Sequence, residues 1–185
     1  MYTHEILIAG FGGQGVLTAG QLLAYAGNLE GQHVSWVPAY GPEQRGGTAN
    51  CSVVISDRPV ACPLVSEPTA CIVLNQPSLE KFTPAVQPGG TLVVNTSLCT
   101  GRATRTDITI VPVPATDLAV ELGNVRFANM VALGALLAVV PMVKMESILE
   151  VLPKVMGEDK ARFIPVNREA LARGMEAARR VLAGR

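Results

Sequence analysis

The residues best suited to chemistry stand near the start of the chain, where Ile6-Leu7-Ile8-Ala9 runs into Gly10-Phe11-Gly12-Gly13-Gln14-Gly15-Val16. Gly10, Gly12 and Gly15 satisfy G-x-G-x-x-G, whose glycines give a tight turn, close backbone approach to an anion, and close packing of helix on strand. A helical stretch from Val16 to Gly27 follows at once and would aim its free amides and positive dipole end at the loop. That is a seat for phosphate. A second candidate is Arg45, set between Gln44 and two glycines, whose planar fork can meet a phosphate with little around it. Its alternative is an ion pair with Glu43 or with a carboxylate of another chain. Asn129 reads first as a helix cap and second as a ligand contact, and Arg126, three residues earlier, could also reach an anion.

What is missing narrows the chemistry. A nicotinamide or flavin fingerprint needs an acidic residue about 20 positions on, at the end of the second strand, to hold the ribose hydroxyls. Here that strand, His33-Val34-Ser35-Trp36-Val37, exits into Pro38-Ala39-Tyr40-Gly41 without Asp or Glu. The dinucleotide reading is disfavoured, and a purely structural glycine turn stays open beside the anion seat. A nucleophile with its base needs a histidine beside Cys or Ser, yet His4 and His33 stand near the terminus and at a strand entrance. No carboxylate pair marks a strand end. Cys51, Cys62, Cys71 and Cys99 contain no C-x-x-C pair, so no zinc or iron–sulfur site is expected; most read as small core residues in a reducing compartment, whereas Cys62, before Pro63, reads as an exposed loop residue. The chain has binding equipment and no assigned catalytic residue.

The elements that position the loop follow from patterning. Strands are expected at Ile6–Ile8, from His33, over Thr48–Ile55, at Ala70–Leu74, Thr91–Asn95 and Ile108–Val113, with helices between several of them. Gly27-Asn28 and Gly31 read as stop signals for the first helix, Ser78 as the cap of a short helix, and Thr116 as the cap of another. The first strand, helix and second strand read as one βαβ unit. Pro38 to Gly47 reads as a long loop, of the kind that is more often functional than decorative. The last third is helical: Asn129 caps an apolar helix over Met130–Val140, Lys144–Met156 is amphipathic and ends at Gly157, and Asn167–Leu182 closes the chain. The expected fold is α/β, a Rossmann-like doubly wound, mostly parallel sheet with a helical C-terminal third.

Length bounds the rest, since 185 residues suit a single domain over 1–185. Fifteen acidic residues balance fifteen basic ones, so no field for nucleic acid or anionic lipid is expected. A hydrophobic share of 49% against 16% charged fits a subunit enclosed by partners and predicts self-association of the chain when alone. The apolar run Met130–Val143 is shorter than the roughly 18 residues of a membrane helix and is broken by Gly134 and Pro141. No secretion signal is read at the start, and the expected compartment is the cytoplasm.

Two stretches carry a family likeness. Gly10-Phe11-Gly12-Gly13-Gln14-Gly15-Val16, taken with Tyr40-Gly41-Pro42-Glu43-Gln44-Arg45-Gly46-Gly47-Thr48-Ala49-Asn50-Cys51-Ser52-Val53-Val54-Ile55-Ser56-Asp57, resembles the gamma subunit of 2-oxoacid:ferredoxin oxidoreductases, and Asn129-Met130-Val131-Ala132-Leu133-Gly134 resembles its helical part. The resemblance implies a subunit of a thiamine-diphosphate enzyme, most closely of the 2-oxoglutarate or branched-chain type, that makes acyl-coenzyme A, carbon dioxide and reduced ferredoxin. It implies that thiamine diphosphate, its magnesium and the iron–sulfur clusters sit on alpha, beta and delta or ferredoxin-like partner subunits, with ferredoxin reached through the complex. It further implies that this chain serves assembly and seats coenzyme A, with Gly12, Gly13, Gln14 and Gly15 on the phosphates and Arg45 on the same face. The alternatives are the small subunit of an indolepyruvate oxidoreductase, which shares the fold, and a stand-alone nucleotide-binding oxidoreductase.

Overall fold

The computed structural model describes residues 1–40 and 48–184. Along it come β1 (Thr3–Phe11), α1 (Val16–Leu29), β2 (His33–Tyr40), β3 (Thr48–Ser56), β4 (Ala70–Val73), α2 (Gln76–Phe82), β5 (Thr91–Asn95), β6 (Thr109–Val113), α3 (Ala115–Glu121), α4 (Ala128–Val139), α5 (Met145–Met156) and α6 (Ile164–Ala183). The six strands form one sheet in the order β2-β3-β1-β4-β5-β6. β1, β4, β5 and β6 are joined by parallel ladders, whereas β3 runs antiparallel to both of its neighbours. The sheet is mostly parallel, as its apolar strands require: β4 and β5 are buried at every position, the state of a strand covered on both faces.

The expected βαβ unit is interrupted. β1 and β2 point the same way, but β3 lies between them, pairing Ile8 with Cys51 on one side and Pro38 with Cys51 on the other. β2 also extends through Pro38 to Tyr40, three residues beyond its expected end, because it is an edge strand where a missing N–H costs no ladder bond. Residues 41–47 of the expected loop, Arg45 among them, lie outside the described residues.

Side chains alternate across the sheet into two cores. Ile6, Ile8, Val53, Ile55, Ile72, Val93 and Val111 meet α1 and the C-terminal helices on one face, whereas Leu7, Ala9, Val73, Leu92 and Val94 meet α2 and the segments after it on the other. The first face is the thicker. There α4 is buried along almost its whole length, consistent with its apolar sequence, and α6 crosses it. Gly134 and Gly174 make that crossing possible, since a Cβ on Gly134 would lie 2.8 Å from Leu171 Cα and one on Gly174 would lie 2.9 Å from Ala135 N. Gly134 thus serves close approach instead of breaking the helix.

Several caps differ from expectation. α1 runs through Gly27-Asn28 to Leu29, with Gly27 packed against Val34 and the left-handed φ of 77° falling on Gly31. α2 is capped by Asn75, whose Oδ1 accepts from Ser78 N at 2.9 Å, so Ser78 is the recipient of the cap and not the cap. Thr116 sits inside α3, whose start is held from the end of β5 and the turn after it: Thr116 N donates to Asn95 Oδ1 at 3.2 Å and Asp117 N to Ser97 Oγ at 3.1 Å. α5 begins at Met145 and ends at Gly157 as expected, and α6 begins at Ile164, a little earlier than expected.

Candidate functional site

The carboxyl ends of β1 and β4 are neighbours, yet the chain leaves them toward opposite faces, through α1 and through α2. Open α/β sheets bind ligands at such a switch point. The glycine turn stands on it. Gln14 N donates to Phe11 O at 3.2 Å, closing the turn, while Gly13 at φ 93° and Gly15 at φ 75° take conformations that a side chain would strain. Gly12 and Gly13 are exposed, so their backbone can be approached. Gly15 is the N-cap of α1 and offers no side chain to its amides, and no acidic residue occupies the first turn. The positive end of the 14-residue helix is therefore uncompensated by its own sequence.

Two side chains fix the turn. Gln14 spans the split between the strands: its Oε1 accepts from Phe11 N at 2.6 Å and its Nε2 donates to Leu74 O at 3.4 Å. Gly10 lacks a Cβ for the same reason, since one there would meet Gln14 Oε1 at 2.6 Å. Gln14 is thus a brace as well as a member of the loop, which its position in the motif did not reveal. Asn129 is buried and lies inside α4 instead of capping it. Its Nδ2 donates to Gly15 O at 3.1 Å and its Oδ1 accepts from Met130 N at 2.8 Å, so the turn is tied to the apolar helix behind it. The structure brings Gly12, Gly13, Gln14, Gly15 and Asn129 into one group; Arg45 lies outside the described residues. Arg126 stands exposed on the 3-10 turn Val125–Phe127.

Sequence reasoning missed two buried asparagines at the same end of the sheet. Asn95, at the end of β5, donates from Nδ2 to Leu74 O at 3.1 Å and to Thr116 Oγ1 at 2.9 Å, binding β4, β5 and α3 together. Asn75 is 1% exposed, and its Nδ2 has no hydrogen-bond acceptor among the described residues. A buried donor left so costs about 1–3 kcal/mol. The signal available in the sequence was only an asparagine closing an apolar run.

Acid–base and redox groups lie elsewhere. His4 and His33 belong to the opposite ends of β1 and β2 from the turn, and burial lowers the pKa of His4. Burial pushes the thiol of Cys51 up to about 12 and that of Cys99 up to about 11, and raises Cys71 further still. Such thiols are inert. Among the described residues no three His, Cys, Asp or Glu side chains gather as a metal set. No helix of the described residues is long and apolar enough to cross a membrane. An exposed glycine turn before an uncapped helix end is an arrangement suited to an anion, and among the described residues of the turn no side chain carries a titratable proton.

Comparison with known proteins gives consistent matches. A family model described as pyruvate ferredoxin/flavodoxin oxidoreductase matches residues 5–177. The chain is similar to the ketoisovalerate oxidoreductase subunit VorA of Methanothermobacter thermautotrophicus, 43% identical over 183 residues, covering 97% of this chain and 37% of the relative's length. It is similar in structure to the gamma subunit of a keto/oxoacid ferredoxin oxidoreductase from Geobacter sulfurreducens, at a TM-score of 0.80 and 30% identity over 95% of this chain and 98% of the other. It is also similar to the 2-oxoglutarate:ferredoxin oxidoreductase of Magnetococcus marinus solved with 2-oxoglutarate, coenzyme A and succinyl-CoA bound, at a TM-score of 0.87 and 25% identity over 97% of this chain and 32% of that one.

Proposed function

The chain belongs to the pyruvate ferredoxin/flavodoxin oxidoreductase family, and from that premise we propose that it is the gamma component of a 2-oxoacid:ferredoxin oxidoreductase, one domain over 1–185 that seats coenzyme A. Its glycine turn receives the diphosphate on the amides of Gly12 to Gly15 and the start of α1, and Arg45 is the cation proposed to add positive charge to that seat. Gln14 and Asn129 hold the turn in shape before the ligand arrives, which lowers the ordering cost of binding. Decarboxylation and electron transfer belong to partner subunits carrying thiamine diphosphate, magnesium and iron–sulfur clusters, in the cytoplasm. The chain itself contributes position: it presents the carrier thiol to chemistry performed next door.

The observation that carries this reading is the braced glycine turn at the switch point, with an uncompensated helix end behind it. It is supported by the Magnetococcus marinus enzyme, which is similar over nearly the whole of this chain and holds coenzyme A. Relatives name more than one acid, so 2-oxoglutarate is the first substrate to assay and ketoisovalerate the second. Gly13→Val forces a β-branched residue into a φ of 93° at a position with open space around it, so it distorts the turn without touching the core. In the assembled complex it raises KM for coenzyme A and leaves KM for the 2-oxoacid unchanged. An unchanged KM for coenzyme A removes the reading. Exposed Leu64, Val120 and Val125 favour self-association of the lone chain, and a monomer at high concentration by light scattering contradicts that.

A further inference from the structure

We propose that a cleft beside β5 forms a second subsite for the same carrier and takes the 3′-phosphate of coenzyme A on Arg102. The inference rests on the reading that the glycine turn seats the diphosphate. The cleft has a volume of about 450 Å³, the size of a small-molecule site. It opens on the thinner face of the sheet. Val94, Ile110 and Pro112 form its apolar wall, and Thr96, Thr100 and Arg102 from the β5–β6 connection supply its polar groups. Val94 and Pro112 are register partners near the carboxyl ends of their strands, so the cleft lies at the same end of the sheet as the turn.

Charge decides what it receives. The connection carries two arginines in different states. Arg105 is committed: its Nε donates to Asp107 Oδ1 at 2.9 Å, and its Nη1 donates to the carbonyls of Thr83, Pro84 and Val86. Arg102 is exposed and pairs with no carboxylate among the described residues, and no Asp or Glu lines the cleft. An apolar wall with two hydroxyls and one free guanidinium suits a nucleoside carrying a phosphate.

Geometry links the cleft to the turn. Gly101 N donates to Gln76 Oε1 at 2.9 Å, which pins the connection to the start of α2, and a Cβ on Gly101 would collide with that same carboxamide. Gln76 follows Leu74 and Asn75, and Leu74 O is the acceptor for Gln14. One continuous rim thus joins the turn, the end of β4 and the cleft. Across β1, β4 and β5 it spans about 10 Å, two strand spacings. In coenzyme A the 3′-phosphate and the 5′-diphosphate hang from one ribose. A carrier whose diphosphate rests on the turn therefore brings a second anion toward the side chains of neighbouring strands, and Arg102 is the uncommitted cation there.

The test compares coenzyme A with 3′-dephospho-coenzyme A by isothermal titration of the complex that co-purifies with the full chain. The wild type prefers coenzyme A by about tenfold, the worth of one charge-assisted contact. Arg102→Ala abolishes the preference and leaves the affinity for dephospho-coenzyme A as it was, while Arg102→Lys retains part of it. Arg102 is exposed, so an unchanged melting curve accompanies both variants. Equal affinities in the wild type, or a preference that survives Arg102→Ala, overturn the subsite and leave the glycine-turn reading standing. Failure of the wild type to bind either compound overturns the parent reading, and the subsite with it.

Discussion

Replacing Gly174 by alanine sets two calculable effects against each other. In a helix interior the exchange is worth about 0.5–1 kcal/mol in favour of alanine, because glycine loses more backbone freedom on folding. Against that, the new methyl in α6 would lie 2.8 Å from the carbonyl carbon of Val131 and 2.9 Å from Ala135 N, and closer still to Val131 O, all of them backbone atoms of α4. Ordinary contact begins at about 3.5 Å, so the helices must part by more than about 1 Å to clear Val131 O. No rotamer relieves a backbone clash. Parting them loosens the contacts of Ala170, Leu171 and Ala178, each completely buried. Overpacking of this kind costs 1–3 kcal/mol and more where the neighbours cannot yield. With the cost at the top of that range and the glycine gain subtracted, the expected net loss is about 2 kcal/mol, or about 6 °C in melting temperature for a chain of this size. Urea unfolding of wild type, Gly174→Ala, Gly134→Ala and the double variant reads it directly. Because both methyls push the same helices apart, the double variant costs less than the sum. If Gly174→Ala equals or exceeds the wild type in stability, the close crossing of α4 and α6 is wrong.

Four further outcomes belong to the same structure. Asn129→Ala strips the tie between α4 and Gly15, costing about 1–2 kcal/mol of stability and weakening coenzyme A binding in titrations run well below the melting temperature, where loss of folded protein does not contribute. A thiol reagent modifies Cys62 quickly in the native chain and all four cysteines after unfolding, since Cys51, Cys71 and Cys99 are buried. The raised thiols also impose a pH dependence. The folded chain keeps protons that the unfolded chain loses above the ordinary value of 9.0, so stability is complete below pH 9 and falls as pH rises toward 11 and 12. Urea midpoints at pH 8 and pH 10 reveal the fall. His4 works in the opposite direction: burial lowers its pKa below 6.5, so its contribution is complete above that value and is lost as the pH drops through the folded one. Replacing His4 by glutamine flattens the mildly acidic limb of the stability curve.

The parts of the fold legible in the sequence are those written in local chemistry. The glycine turn announces itself because a β-prone run meets residues that only glycine conformations suit, and β4 and β5 because an unbroken apolar run has no other use than a doubly covered strand. The orientation of β3 is not local. A β-branched segment reads the same in either direction, and its place between β1 and β2 is decided by partners distant in sequence. Asn129 was misread, and Asn95 missed, for a related reason. Asn129 finds its partner at Gly15 and Asn95 at Thr116, both distant in sequence, and rules for local capping see only the nearest helix; Asn75 is a local cap, to Ser78 N, of a helix whose start the sequence pattern places too late. Gly134 looked like a break in an apolar run because its counterpart, Gly174, is forty residues away, on the helix that crosses it.

Where the diphosphate of coenzyme A rests is the deciding question, and a structure of the complex containing this chain with coenzyme A bound answers it directly. The expected result is diphosphate density within hydrogen-bonding distance of the backbone amides of Gly12, Gly13 and Gly15, with Gln14 still bridging Phe11 and Leu74. A diphosphate held entirely by other subunits, with the turn facing solvent or another protein surface, contradicts it.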